Sequence, residues 1–338
     1  KNAMALASYI NEITGAVSMP VAVEADRCTE SLVMFLGVLY SGNYYVPIDN
    51  KMPEDRVDII LKDVDPALCL NINEKSFFNK FNVKNTNYET VIKHEPDEIV
   101  LDRIRENIID TDPCYIMYTS GSTGIPKGVV ISHRMVMDFA DFLSDTFGID
   151  ENDILANQSP FYFDCSVKCI CQMLRNGCTM YIMKQKYFMF PIRAIEFFNE
   201  KKITTLLWAT SGLNILSSSG VFDKLKLEMV NKVFFSGEML YAKDYLLWKE
   251  ACPEDSLFVN LYGPTEVTVD CAYYIISREF DREDVIPIGK ACRNMNVYLL
   301  DENNRLVRGN EIGEICSESI YYGLQGYYLP DRRFREIQ

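Results

Sequence analysis

The stretch Cys114-Tyr115-Ile116-Met117-Tyr118-Thr119-Ser120-Gly121-Ser122-Thr123-Gly124-Ile125-Pro126-Lys127-Gly128-Val129-Val130-Ile131-Ser132 decides how the chain is read. An apolar, β-prone run over 114–118 feeds a loop rich in glycine and hydroxyl residues, and a second β-prone run over 128–132 follows. This spacing predicts strand, loop, strand. Gly121, Gly124 and Gly128 let the backbone turn and expose N–H groups. The hydroxyls of Thr119, Ser120, Ser122 and Thr123 add donors that suit phosphate oxygens, and Lys127 brings a mobile positive charge. A Walker-type loop needs glycine before the lysine and Ser or Thr after it, where this chain has Pro126 and Gly128, so that class is disfavoured. The plain alternative is a flexible surface loop; the density of glycine and hydroxyl groups between two strands favours phosphate binding.

Working outward, 338 residues with 48% hydrophobic content fill the core of two lobes or one large α/β unit. A formal charge of −14 opposes a nucleic-acid or anionic-membrane partner, because either requires counter-charge on the binding face. No run of 18 apolar residues occurs, and the start K-N-A-M-A-L-A-S-Y-I is too polar for a secretory leader, so a cytoplasmic, non-membrane location is expected. The eleven cysteines are scattered and mostly embedded in apolar runs such as Leu68-Cys69-Leu70, which predicts buried free thiols. Cys165, Cys169 and Cys171 lack a CxxC pair and a neighbouring histidine, which disfavours a metal site there.

Elements alternate along the chain. Strands are predicted over 20–25, 67–71, 154–157, 178–183, 203–208, 232–236 and 257–261. Helices are predicted over 30–41 with Thr29 as cap, 54–62, 133–147 with Ser132 as cap, 167–175, 192–201 and 243–251. Residues 73–110 are polar and weakly periodic, and read as a variable surface excursion. The expected fold class is α/β, with layered, largely parallel sheets flanked by helices and a β-rich C-terminal part. Approximate lobes are placed at 1–150 and 151–280, with the β-rich part at 281–338.

The string T-S-G-S-T-G-I-P-K-G, 119–128, resembles the phosphate-loop signature of adenylate-forming enzymes, specifically the adenylation domains of nonribosomal peptide synthetases. Further motifs follow in that family's order. N-L-Y-G-P-T-E, 260–266, is similar to its nucleotide and metal segment. The resemblance implies that Asn260 contacts the adenine edge, Tyr262 stacks on adenine, Thr265 touches the α-phosphate and Glu266 holds Mg²⁺. Each residue type suits its role: an amide reads a base edge, an aromatic stacks, and a carboxylate binds a hard cation. Gly237-Glu238 resembles the pair that flanks the adenine, with an ordinary turn as the alternative. F-D-C-S, 163–166, resembles the motif whose aspartate holds a substrate α-ammonium. Asp164 also has two structural explanations, helix capping and an i,i+4 pair with Lys168. The stretch 313–328 resembles a later structural motif.

The family's ribose-binding aspartate, hinge and C-terminal lid domain with its adenylation lysine follow none of these motifs within 338 residues, so a core fragment with impaired turnover is expected. The resemblance implies ATP and Mg²⁺, an amino acid activated as aminoacyl-AMP, and a partner peptidyl carrier protein whose phosphopantetheine thiol takes the acyl group, beside other synthetase domains. D-alanyl carrier-protein ligases and acyl- or aryl-CoA synthetases share the chemistry; a nucleotide-binding scaffold without activity is the alternative of another class. The family's pocket positions match Asp164, Cys165, Lys168, Trp208, Phe234, Ser236, Leu261, Val269 and Asp270. Lys168 and Asp270 resemble the pattern in modules that load glutamate, with glutamine close behind, while Trp208 and Phe234 depart from it. An inward Lys168 needs an anion, which a substrate carboxylate supplies; Asp270 can instead neutralise Lys168 and leave a polar, uncharged pocket. A Glu, Gln or Asp side chain is therefore expected over small or aliphatic ones.

Overall fold

The computed structural model describes residues 1–74, 77–120, 126–307, 309, 311–319, 326–329 and 332–336. They build two compact units, Lys1–Val136 with Pro160–Phe163 and Gly323–Gln338, and Met137–Ser159 with Asp164–Tyr322. Where lobes were expected at 1–150 and 151–280, the units divide inside the helix His133–Phe147, and the last strands return to the first unit. That return is a long-range pairing, Gly326 beside Val130, which no local window encodes.

The first unit carries strands β1 (Pro20–Glu24), β2 (Tyr44–Ile48), β3 (Leu68–Asn71), β4 (Asn85–Asn87), β5 (Pro113–Ser120) and β6 (Pro126–Ser132). Its sheet runs Arg332–Glu336, Gly326–Leu329, β6, β5, β2, β1, β3, β4. β5, β2, β1, β3 and β4 are parallel, and β6 folds back antiparallel on β5. Every residue of β1 and β2 is buried, the pattern of strands covered on both faces. The helix Thr29–Tyr40 covers them with Leu32 and Phe35 buried; its N-cap is Cys28 without a side-chain cap bond, so Thr29 is the first helical residue rather than the cap. Ser132 does cap, accepting the Met135 N–H at 3.4 Å.

The expected surface excursion at 73–110 is corrected by the structure. Asn85–Asn87 extends the sheet as β4, Glu98–Asn107 is a helix, and Phe78 is fully buried. A three-residue strand spelled Asn-Thr-Asn has turn composition, so only its pairing with β3 reveals it.

The second unit holds β7 (Ile154–Asn157), β8 (Thr179–Ile182), β9 (Thr205–Ala209), β10 (Lys232–Ser236), β11 (Leu257–Tyr262), β12 (Ala272–Ile275) and β13 (Lys290–Ala291), ordered β13-β12-β11-β10-β9-β7-β8. β8 to β11 are parallel; β12 and β13 are antiparallel. Phe235 lies beside Trp208 and Asn260, while Phe234 lies beside Leu207 and Val259, so alternate residues face opposite sides. One side packs Trp208, Phe235, Phe198 and Trp248 into the main core, each contributing on the order of 2–3 kcal/mol by burial. A two-stranded antiparallel sheet, β14 (Met295–Leu300) with β15 (Glu314–Ser319), forms the β-rich end. Among the described residues no helix is long and apolar enough to cross a membrane.

Candidate functional site

The turn that leaves β11 is wound tightly on itself. Val267 N–H donates to Pro264 O (3.1 Å), Thr268 N–H to Thr265 O (3.2 Å), Asp270 N–H to Thr268 O (3.0 Å) and Cys271 N–H to Tyr262 O (2.7 Å). Gly263 makes this closure possible, because a Cβ there would stand 2.5 Å from Asp270 Cα and 2.8 Å from Val269 O. Thr268 and Val269 are consecutive β-branched residues with φ of 65° and 75°. Such residues avoid the left-handed region, and each costs roughly 1–3 kcal/mol there. Both are buried, and the Thr268 hydroxyl has no hydrogen-bond partner. The sequence carries no signal for this strain.

What the strained turn delivers is Asp270. Its Oδ2 meets Lys168 Nζ at 3.2 Å and its Oδ1 accepts from Ser236 Oγ at 2.8 Å, with both charged side chains 0% exposed. Lys168 Nζ also lies 3.8 Å from Cys165 Sγ. Burial alone favours losing the lysine proton, but the facing Asp270 outweighs it and holds the ammonium above the ordinary lysine range. The alternative in which Asp270 neutralises Lys168 is thus the one the fold adopts.

Asp164 begins the helix Cys165–Asn176 without a side-chain cap bond, so capping does not account for it. Its expected helical partner Lys168 salt-bridges Asp270 instead. Asp164 is half-buried, and desolvation raises its carboxyl above the usual range against the opposing pull of the Thr265 hydroxyl and the Lys168 charge. A carboxylate so placed favours a cation at its side.

Of the other expected pocket residues, Leu261 lies on the Phe234 and Ser236 side by strand alternation, and Val269 sits in the turn. Phe234 is buried edge-on to Phe147, ring centroids 5.1 Å apart. Trp208 is a correction. Ser236 pairs with Ala209 in the ladder, which puts Trp208 on the opposite face, where its indole N–H donates to Ala156 O (2.6 Å) and its ring packs on Phe198. A slip of one residue in a strand exchanges faces, and Leu207 is the residue beside Phe234.

Asn260 and Tyr262 share one side of β11 at its carboxyl end, the usual place for ligands of open α/β sheets. Asn260 Nδ2 donates to Ile286 O (3.2 Å) and Pro287 O (3.0 Å), and its Oδ1 is buried with no hydrogen-bond partner. An orphaned amide oxygen fits a ligand amino donor such as that of adenine. Gly237, just past β10, has φ 84° and open space where a Cβ would stand; Glu238 is exposed. Glu266 is half-buried on the short turn Thr265–Val267. A single carboxylate suits Mg²⁺, which keeps waters and takes its remaining oxygens from substrate phosphates.

In the first unit the two predicted strands are present as β5 and β6, with one shift, while residues 121–125 between them lie outside the described residues. Thr119 pairs with Lys127 and Ser120 with Pro126, so these residues belong to the β5–β6 ladder rather than to the loop. Gly121, Ser122, Thr123 and Gly124 lie outside the described residues. Gly128 is not a turn residue: it faces Tyr118, and a Cβ would come within 2.9 Å of Ile116 and 3.1 Å of the Tyr118 ring. Tyr118 in turn donates to Asp63 at 2.6 Å.

Comparison with known proteins matches the model of the AMP-binding enzyme family over residues 1–328. The chain is 32% identical over 297 residues to bacitracin synthase 1 of Bacillus licheniformis, covering 87% of this chain and 5% of that one. It is 31% identical to surfactin synthase subunit 1 of Bacillus subtilis (strain 168), covering 92% and 9%. With the D-alanine–D-alanyl carrier protein ligase of Bacillus velezensis it shares 30% identity, covering 88% of this chain and 58% of the ligase. The chain therefore spans only part of each of these relatives. Among solved structures it resembles the nonribosomal peptide synthetase FmoA3 with a TM-score of 0.82 at 22% identity, over 99% of this chain and 36% of that one. It also resembles holo-AB3403, a four-domain nonribosomal peptide synthetase bound to AMP and glycine, with a TM-score of 0.80 at 24% identity, over 94% and 23%. The likeness confirms the layered α/β fold, and the family match over nearly its whole length shows that this chain belongs to the AMP-binding enzymes.

Proposed function

We propose that this chain is the ATP-binding core of an enzyme that activates an amino acid as its aminoacyl-AMP, with release of pyrophosphate, for loading onto the phosphopantetheine thiol of a carrier protein within a cytoplasmic nonribosomal peptide synthetase. The observation that carries this proposal is Asp164. A desolvated carboxylate set against Thr265, on the turn that also bears Glu266, puts an ammonium-binding group beside residues fitted for phosphate and metal. Acyl and aryl acids have no amine to use it. D-alanyl carrier-protein ligation is the nearest alternative, supported by the similarity to such a ligase.

In this scheme Asp164 holds the substrate α-ammonium, so that the carboxylate reaches the α-phosphorus of ATP. A new C–O–P linkage forms as the bond to pyrophosphate breaks. Tyr262 and the free Asn260 oxygen hold the adenine, Gly237 and Glu238 flank it, and Thr265 meets the α-phosphate. By the resemblance of their string, Thr119, Ser120, Gly121, Ser122, Thr123, Gly124 and Lys127 are assigned to phosphate binding. Mg²⁺ at Glu266 would neutralise charge building on the leaving group. With Lys168 already neutralised by Asp270, its polar surroundings support an amide substrate side chain over an acidic or aliphatic one.

ATP–pyrophosphate exchange by the full-length protein against a panel of amino acids tests the proposal: exchange stimulated by amino acids and not by fatty or aryl acids is the expected result, and ATP binding without any exchange would leave a scaffold. Lys127→Ala and Glu266→Ala should each keep Tm within a few degrees, as substitutions outside the core do. Exchange should fall by about 100-fold or more, because each removes charge stabilisation from the transition state. Unfolding of both variants would instead assign these residues to the fold.

A further inference from the structure

Resting on the proposed assignment of Lys127 to phosphate binding, we propose that Tyr118, Gly128 and Asp63 form a clamp on the stem of the β5–β6 hairpin, which makes Tyr118 and Asp63 positioning residues for Lys127. The stem consists of the facing pairs Tyr118 with Gly128, Thr119 with Lys127 and Ser120 with Pro126. Its outermost rung is weak, because proline has no N–H to give the ladder. Side chains alternate between faces, so Tyr118 and Gly128 share one face and Thr119 and Lys127 the other. Lys127 therefore stands one residue from the clamp, at a stem end that backbone bonding holds poorly.

Gly128 serves here by its size. Its backbone is not left-handed, and a glycine inside a strand otherwise weakens it. The missing side chain leaves room for the Tyr118 ring: a Cβ at 128 would stand 3.1 Å from the ring's Cζ and 3.3 Å from its Oη. Crossing Gly128, the ring packs against two apolar clusters, one containing Ile48, Val57, Ile60 and Leu61 and the other Val64, Ile116 and Val130. Its hydroxyl then donates to Asp63 Oδ2 at 2.6 Å. Asp63 lies in the last turn of the helix Glu54–Val64, where a carboxylate works against the helix dipole, so its contact with Tyr118 rather than the helix accounts for its place. That helix is seated in the core by Val57, Ile60, Leu61 and Val64. A bond to an ionised acceptor thus ties the stem to a fixed element and stops it rolling. A phosphate-binding charge displaced by about 1 Å loses much of its effect, which is what the clamp prevents.

The test uses the full-length protein, with Mg-ATP affinity from calorimetry and kinetic constants from ATP–pyrophosphate exchange on the amino acid that the parent activates fastest. Tyr118→Phe keeps the ring and removes only the bond. It should weaken Mg-ATP binding and raise KM for ATP by about tenfold, the scale of a hydrogen bond to a charged group, while KM for the amino acid holds and Tm falls by no more than a few degrees. Asp63→Ala should match it. Asp63→Asn should recover most of the loss, because the amide oxygen still accepts the phenol proton. In the Lys127→Ala background Tyr118→Phe should weaken Mg-ATP binding no further, since the bond acts through Lys127. Unchanged ATP constants in Tyr118→Phe, an equal rise in both KM values, or effects that add to those of Lys127→Ala would each overturn the clamp while leaving the phosphate assignment standing. Parent-like ATP binding and exchange in Lys127→Ala would overturn the phosphate assignment, and the clamp with it.

Discussion

Replacing Lys168 alone with methionine is expected to destabilise the protein by about 3–5 kcal/mol, the largest single-residue effect we anticipate. The substitution preserves most of the volume, so packing is not the cause. It strands Asp270, which is fully buried and would retain only the Ser236 hydroxyl as partner. Asp270→Leu alone should be comparably damaging, because it strands an ammonium with no solvent access. Removing both charges together should bring stability back to within about 1–2 kcal/mol of the parent, since paired apolar replacements of buried ions are often neutral. Urea melts of the four proteins measure the coupling directly. Additive single effects would mean that the two groups do not act as a pair.

Asp164→Asn should lower amino-acid-stimulated exchange by about 100-fold or more, with the loss carried mainly in KM for the amino acid, because a charge-assisted partner of the ammonium is removed. Stability should move the other way. The folded carboxyl is raised by desolvation, so its ionised form is a burden at pH values above its folded pKa, and that burden fades as pH falls through it. At neutral pH the asparagine variant should therefore melt slightly above the parent, and the difference should shrink on acidification. The same protonation predicts an acid limb in wild-type exchange: as the carboxyl gains its proton it stops attracting the ammonium, and KM rises. A variant that melts well below the parent at neutral pH would contradict the assignment of Asp164 as a desolvated ligand-binding group.

Much of the chemistry was legible because it is written locally. The Thr119–Gly128 string, the Tyr262–Glu266 turn and the alternation of apolar runs with capped helices occupy short windows, and the strands Ile154–Asn157 and Lys232–Ser236 have the bounds their composition predicts. Asp164 was visible as a carboxylate after three aromatics, but its local explanations, a cap and an i,i+4 pair, were both set aside by the fold. Trp208 shows how little separates a correct strand from a correct face: the strand was placed, yet a parity of one residue sent the indole to the core and left Leu207 beside Phe234.

By itself the sequence determined the α/β class, the order of the elements outside residues 73–110, and the family, because hydrophobic period, turn chemistry and motif spacing act over a few residues. The tertiary structure decided which residues meet. Lys168 finds its counter-charge 102 positions away, β4 exists only through its pairing with β3, and Thr268 and Val269 are held in the left-handed region by the closure of Gly263 on Asp270. Burial, strain and salt-bridge choice are properties of packed neighbours distant in the chain, and no local window contains both members of such a contact.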